Sequence, residues 1–175
     1  MVKIMINAIT KNFNFSSLFK TAIFTSLFVV CMTSSVFACS CVNSRPFFDI
    51  TSNVDLIVIG KPISYGEASQ FSSQPLSAEV EIQRVLKGNA ALEKIRVFGD
   101  NGALCRPYVT KFPLNTTWVF ALNFLSTGPN GEPQYSISGC GEFSLRVRAG
   151  KVFGRIKSSQ QTSAILPRFI KSLRP

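Results

Sequence analysis

The sequence predicts a small, mainly β protein, a five-stranded barrel with short flanking helices, made for export. Three observations carry this reading. Short branched or aromatic runs recur between Gly-, Pro- and Ser-rich turns, the punctuation of a small barrel. An apolar segment with lysines before it heads the chain and ends at Val36-Phe37-Ala38. After it come Cys39, Cys41, Cys105 and Cys140, an even number that suits two disulfides in an oxidising compartment, with three pairings open.

Residues 1–38 read as a signal peptide. Thr21 to Ala38 is almost wholly apolar or small, Lys3, Lys11 and Lys20 precede or open it with no acidic residue, and Val36 and Ala38 occupy the −3 and −1 positions of a cleavage site. The apolar run from Ala22 to Met32 is about half the ~20 residues that cross a bilayer, so a membrane anchor is the weaker reading. Cleavage after Ala38 removes Cys31, makes Cys39 the first residue and leaves 39–175, a length that suits one domain.

Along that domain, Pro46 to Asn53 predicts a short helix with proline in its first turn. Val54 to Tyr65, VDLIVIGKPISY, predicts the first strand, and Gly66 to Pro75, rich in Ser, Gln and Gly, a loop. Ala78 to Leu86 alternates as a second strand ending at Lys87-Gly88. Ile95 to Phe98 is a third strand, Gly99 to Arg106 a loop carrying Cys105, and Thr117 to Phe124 a fourth strand apolar enough to be covered on both faces. Gly128-Pro129-Asn130-Gly131 signals a turn, after which Tyr135 to Cys140 pairs back as a fifth strand of a meander. Ile165, Leu166, Phe169, Ile170 and Leu173 stand at helical spacing and predict a helix packed on the barrel, provided that Pro167 falls in its first turn. A membrane-surface or partner helix is the other reading of that stripe. The division drawn is a barrel over 39–145 and a basic segment over 146–175.

Charge is concentrated at the end of the chain. The formal net charge is +10, and no acidic residue follows Glu142, whereas Arg146, Arg148, Lys151, Arg155, Lys157, Arg168, Lys171 and Arg174 do. Such a segment attracts an anionic glycan or a membrane surface, or simply keeps the protein soluble; no specific recognition of nucleic acid is expected.

The residue inventory argues against an enzyme. Histidine is absent, which removes the commonest general base and metal ligand. There is no paired carboxylate motif, no G-x-S-x-G and no phosphate-cradling glycine loop. Thiol catalysis favours Cys-x-x-Cys, but Cys39 and Cys41 are separated by one residue. A structural zinc held by four cysteines is disfavoured by export, which oxidises thiolates. No cofactor is expected.

Taken together, Cys39-Ser40-Cys41-Val42 at the mature start, VDLIVIGKPIS, AEVEIQRVLKG, the Ala103-Leu104-Cys105 triplet and Cys140 after the fifth strand resemble the N-terminal domain of the tissue inhibitors of metalloproteinases, within the netrin-like group. The resemblance spans most of residues 39–143, and its specificity lies in combining a terminal C-x-C with cysteines 64 to 66 and 99 to 101 residues further on. It implies Cys39–Cys105 and Cys41–Cys140 bridges and a five-stranded oligosaccharide/oligonucleotide-binding (OB) type of barrel. It also implies a function. The α-amino nitrogen and carbonyl oxygen of Cys39 would chelate the catalytic zinc of a target protease, and Ser40 would enter its specificity pocket. Val42 would continue along the cleft, Cys41 would hold this segment rigid, and Ala103 and Leu104 would form a second contact ridge.

Asn43 departs from the family pattern, where proline is usual, and the third disulfide of the inhibitory domain has no cysteines here. The expected protein is thus a secreted or periplasmic metalloproteinase inhibitor. The alternative is a non-inhibitory barrel that binds anionic polymers or an envelope partner. A competing reading of Val36-Phe37-Ala38-Cys39 is a poor lipobox, which would anchor the protein through a lipid on Cys39 and block chelation.

Overall fold

The structure is a computed structural model that describes Cys41 and residues 45–90, 93–157 and 161–173. The segment read as a signal peptide lies outside the described residues. Strands β1 (Leu56–Tyr65) and β4 (Trp118–Thr127) grow from two of the most apolar runs in the chain and pair antiparallel, from Leu56 opposite Leu122 to Gly60 opposite Trp118. The first five residues of each are buried without alternation, because both faces of this pair are covered.

The other strands close around that pair. β2 (Ser77–Lys87) lies antiparallel to β1, and β3 (Lys94–Phe98) antiparallel to β2. β5 (Pro133–Ser136) returns along β4 after a turn in which the Gly128 N–H meets the Glu132 carbonyl at 2.7 Å. The sequence predicted this hairpin as part of a meander. The structure adds a parallel pairing of β5 with β3, and the order β1-β2-β3-β5-β4, with β4 back on β1, makes a closed five-stranded, OB-like barrel. Closure requires a bent β1. Its register against β2 shifts at three places, one of them beside Gly60, where a Cβ would come within 2.6 Å of Val80 Cγ1.

Phe112, just past the 3-10 turn Val109–Lys111, lies T-shaped against Trp118 and Phe120 with ring centroids 5.0 and 5.1 Å away. Helix α1 (Phe47–Ile50) runs into a 3-10 turn, Thr51–Asn53, as Pro46 to Asn53 predicted. Its first amides are satisfied from outside the helix, Phe47 N–H donating to the Arg155 carbonyl and Phe48 N–H to that of Ile156. At the other end the Lys87 ammonium donates to the carbonyls of Thr51, Ser52 and Val54 at 2.6, 3.1 and 2.7 Å, completing acceptors that the turn leaves open.

Beyond residue 143 the structure corrects the sequence reading, which saw a basic segment with a helix. Three more strands, β6 (Ser144–Arg148), β7 (Lys151–Phe153) and β8 (Ser163–Ile165), extend the sheet from β4. The division drawn at residue 145 runs through β6. Period-2 alternation is present in Arg146-Val147-Arg148 and Lys151-Val152-Phe153, but the cations on one face mask it. Ala149 and Gly150 both take left-handed φ, 47° and 70°, the geometry of a two-residue turn that matches the strand twist. Helix α2 (Leu166–Leu173) then starts one residue before Pro167, within the first turn where proline is tolerated, and packs the Phe169 ring against Phe47 and Phe48 at 5.6 and 5.7 Å. The predicted fifth strand also ends early, at Ser136, and the chain turns through Gly139 and Gly141 to carry Cys140.

Candidate functional site

The short turn after β5 gathers the site. Cys140 sits at its centre, its N–H donating to Ser138 Oγ at 3.2 Å, and is disulfide-bonded to Cys41 with the Cα atoms 5.2 Å apart. Arg45 also lies on this turn, its carbonyl accepting the Glu142 N–H at 2.8 Å. On the other side Gly139 N–H donates to the Cys105 carbonyl at 2.9 Å, and a Cβ on Gly139 would come within 2.7 Å of that oxygen. Glycine is needed for the two loops to approach so closely.

Cys105 belongs to the loop between β3 and β4, which is built to project. One oxygen of the Asp100 carboxylate accepts the N–H groups of Gly102 and Leu104, both at 2.9 Å, and Asn101 Oδ1 accepts that of Ala103 at 3.0 Å. These side-chain acceptors replace the strand ladder and fix the tip. Ala103 and Leu104 stand exposed on it, and Arg106 N–H closes the loop onto the Leu104 carbonyl at 2.9 Å. Cys41, Leu104 and Cys105 line one cavity of about 450 Å³, whose wall includes the Glu142–Arg155 ion pair at 3.5 Å.

Of the residues singled out from the sequence, Cys41, Ala103 and Leu104 fall on this one edge. Cys39, Ser40 and Val42 lie outside the described residues. Cys105 is disulfide-bonded, and Cys39, the partner implied for it, lies outside the described residues. With Cys41, Cys105 and Cys140 all oxidised, none of them is available as a thiolate nucleophile or ligand. Among the described residues no group of three or more Cys, Asp or Glu side chains converges as a metal site would require.

Sequence reasoning missed Phe71. It is 78% exposed in the β1–β2 loop, its N–H held by Ser69 Oγ at 3.0 Å while that hydroxyl donates to the Asn101 carbonyl at 2.6 Å. The ridge and the Phe71 loop are therefore joined. An isolated aromatic in a Ser/Gln-rich stretch was the signal, but no periodicity pointed to it. The edge offers a partly apolar contact surface held in place by the disulfide and by the Asp100 and Asn101 hydrogen bonds. Compared with known proteins, the chain matches no family model and no curated sequence.

Proposed function

We propose that this protein is a secreted or periplasmic inhibitor of a zinc metalloprotease, acting through the amino terminus that cleavage after Ala38 would create. The observation that carries the reading is the Cys41–Cys140 bond, which seats the chain two residues beyond Cys39 on the turn that also supports the Ala103–Leu104 ridge. In this reading a catalytic zinc with an open position accepts the Cys39 α-amine and carbonyl oxygen in place of water. An α-amine of pKa ~8 gives up its proton to a metal far more readily than a lysine does. Ser40 faces the specificity pocket, Val42 follows the cleft, and the ridge makes a second contact. The disulfide holds Cys41, and the Asp100 and Asn101 side chains hold the ridge, before the target arrives, which lowers the ordering cost of binding.

The test compares mature protein beginning at Cys39 with a version extended by one alanine, against a panel of zinc endopeptidases. The extension should abolish inhibition while leaving the melting temperature unchanged, because it removes the chelating geometry and touches no core residue. Equal inhibition by both versions would remove the chelation mechanism. Intact mass before and after reduction establishes that the starting material carries an unmodified Cys39.

A further inference from the structure

Beyond that edge, the β6–β8 sheet has one face in solvent. Arg146, Arg148, Lys151, Phe153, Ser163 and Ile165 are exposed, whereas Leu145 and Val152 are buried and Val147 and Ala164 half-buried. Pairing decides which side chains meet. Arg146 stands opposite Phe153, Arg148 opposite Lys151, and Lys151 opposite Ile165. Directly opposed residues share a face, so three cations and two large apolar side chains interleave in one small patch. Phe153 is 40% exposed and Ile165 47%.

No described residue neutralises the patch. No acidic side chain follows Glu142 in sequence, Glu142 pairs with Arg155, and Arg146, Arg148 and Lys151 form no ion pair among the described residues. Like charges opposite one another, as at Arg148 and Lys151, are destabilising unless an external anion relieves them.

We infer that this face docks the protein on an anionic lipid bilayer, with Arg146, Arg148 and Lys151 at the headgroup phosphates and Phe153 and Ile165 in the boundary between headgroups and acyl chains. A bilayer presents a plane of anions with apolar material directly beneath it, matching both components of the patch. A linear anionic glycan would satisfy the cations and leave Phe153 and Ile165 in water. The inference is independent of the inhibitory reading, since it uses none of the residues of the protease-facing edge.

Co-sedimentation of the full mature chain with vesicles of equal parts phosphatidylglycerol and phosphatidylcholine, against phosphatidylcholine alone, tests it. Binding should require the anionic lipid. Each cation near such a surface contributes about fivefold, so Arg146→Gln/Arg148→Gln/Lys151→Gln should weaken binding about a hundredfold. Phe153→Ser/Ile165→Ser should also weaken it, with every charge retained, whereas Lys61→Gln/Lys94→Gln on β1 and β3 should not. The emission of a Phe153→Trp variant should blue-shift on anionic vesicles after subtraction of the Trp118 signal, a readout that does not depend on the stability of the multiple variants. The proposal is overturned by equal binding to both vesicles or by an emission from the Phe153→Trp variant that does not move. It is equally overturned if the apolar pair can be removed without loss while heparin competes fully, which would give the face to an anionic glycan.

Discussion

Tyr135 shows how burial changes the chemistry of one side chain. Its ring is 6% exposed and lies edge-on to Phe124 at 6.2 Å. Desolvation raises its phenol pKa above the ordinary 10.0, and the Asp55 carboxylate adds to the rise. The folded state therefore holds the proton to higher pH than the unfolded chain. The corresponding stability is fully present below pH ~10 and is lost as pH climbs through the folded value. Tyr135→Phe should leave stability at neutral pH nearly unchanged and flatten the alkaline decline, as read from urea midpoints on either side of pH ~10; parallel declines in both proteins would contradict this assignment. The sequence placed Tyr135 in a strand but said nothing of Asp55, which comes near only because β1 and β4 pair and the Phe124 N–H donates to its carboxylate at 2.7 Å. Lys87 is similar. In sequence it marks a strand end, and only the fold brings three carbonyls to its ammonium.

Among the elements, the β6–β7 hairpin was the least legible. Its strands are short and cationic, and its turn is Ala149-Gly150 rather than the Asn-Gly that signals such a hairpin. Ala149 nevertheless adopts φ 47°, a region costly to residues with a Cβ and easier for Asn. Ala149→Asn should stabilise the protein by about 0.5–1 kcal/mol, seen as a higher urea midpoint at unchanged m. No gain would mean that the turn relaxes at little cost in the native hairpin. Strands β1 and β4 were readable for the opposite reason, because branched and aromatic residues fill both of their faces and leave few alternatives to a central strand. Helix α2 was readable from its apolar stripe, and the strand β8 just before it was not, since three residues carry too little pattern.

For the molecule as a whole, the Cys41–Cys140 bond spans 99 residues and ties the start of the domain to the far end of the barrel. Cys41→Ser/Cys140→Ser should cost about 2–5 kcal/mol, chiefly by freeing the unfolded chain. Far-UV circular dichroism of the barrel should persist, because neither Cys41 nor Cys140 is among the buried core residues. Denaturant unfolding measures the loss, and undiminished stability would mean that the bond constrains neither state. If the amino terminus acts as proposed, inhibition should fall by more than stability alone accounts for, since in that reading Cys41 is what holds the chelating segment rigid.

Local sequence was enough for the five barrel strands, the apolar character of β1 and β4, the short leading helix, the trailing amphipathic helix and the concentration of cations after Glu142. All of these are patterns of burial, turn chemistry and charge written within a few residues. Pairing over long separations supplied the rest. It closed the barrel through the parallel β3–β5 contact, put Phe71 beside the Ala103–Leu104 ridge, and folded a basic tail into a sheet with cations and apolar side chains on one face. No local pattern encodes such neighbours, because a strand's periodicity fixes which residues share a face and not which strand will lie beside it.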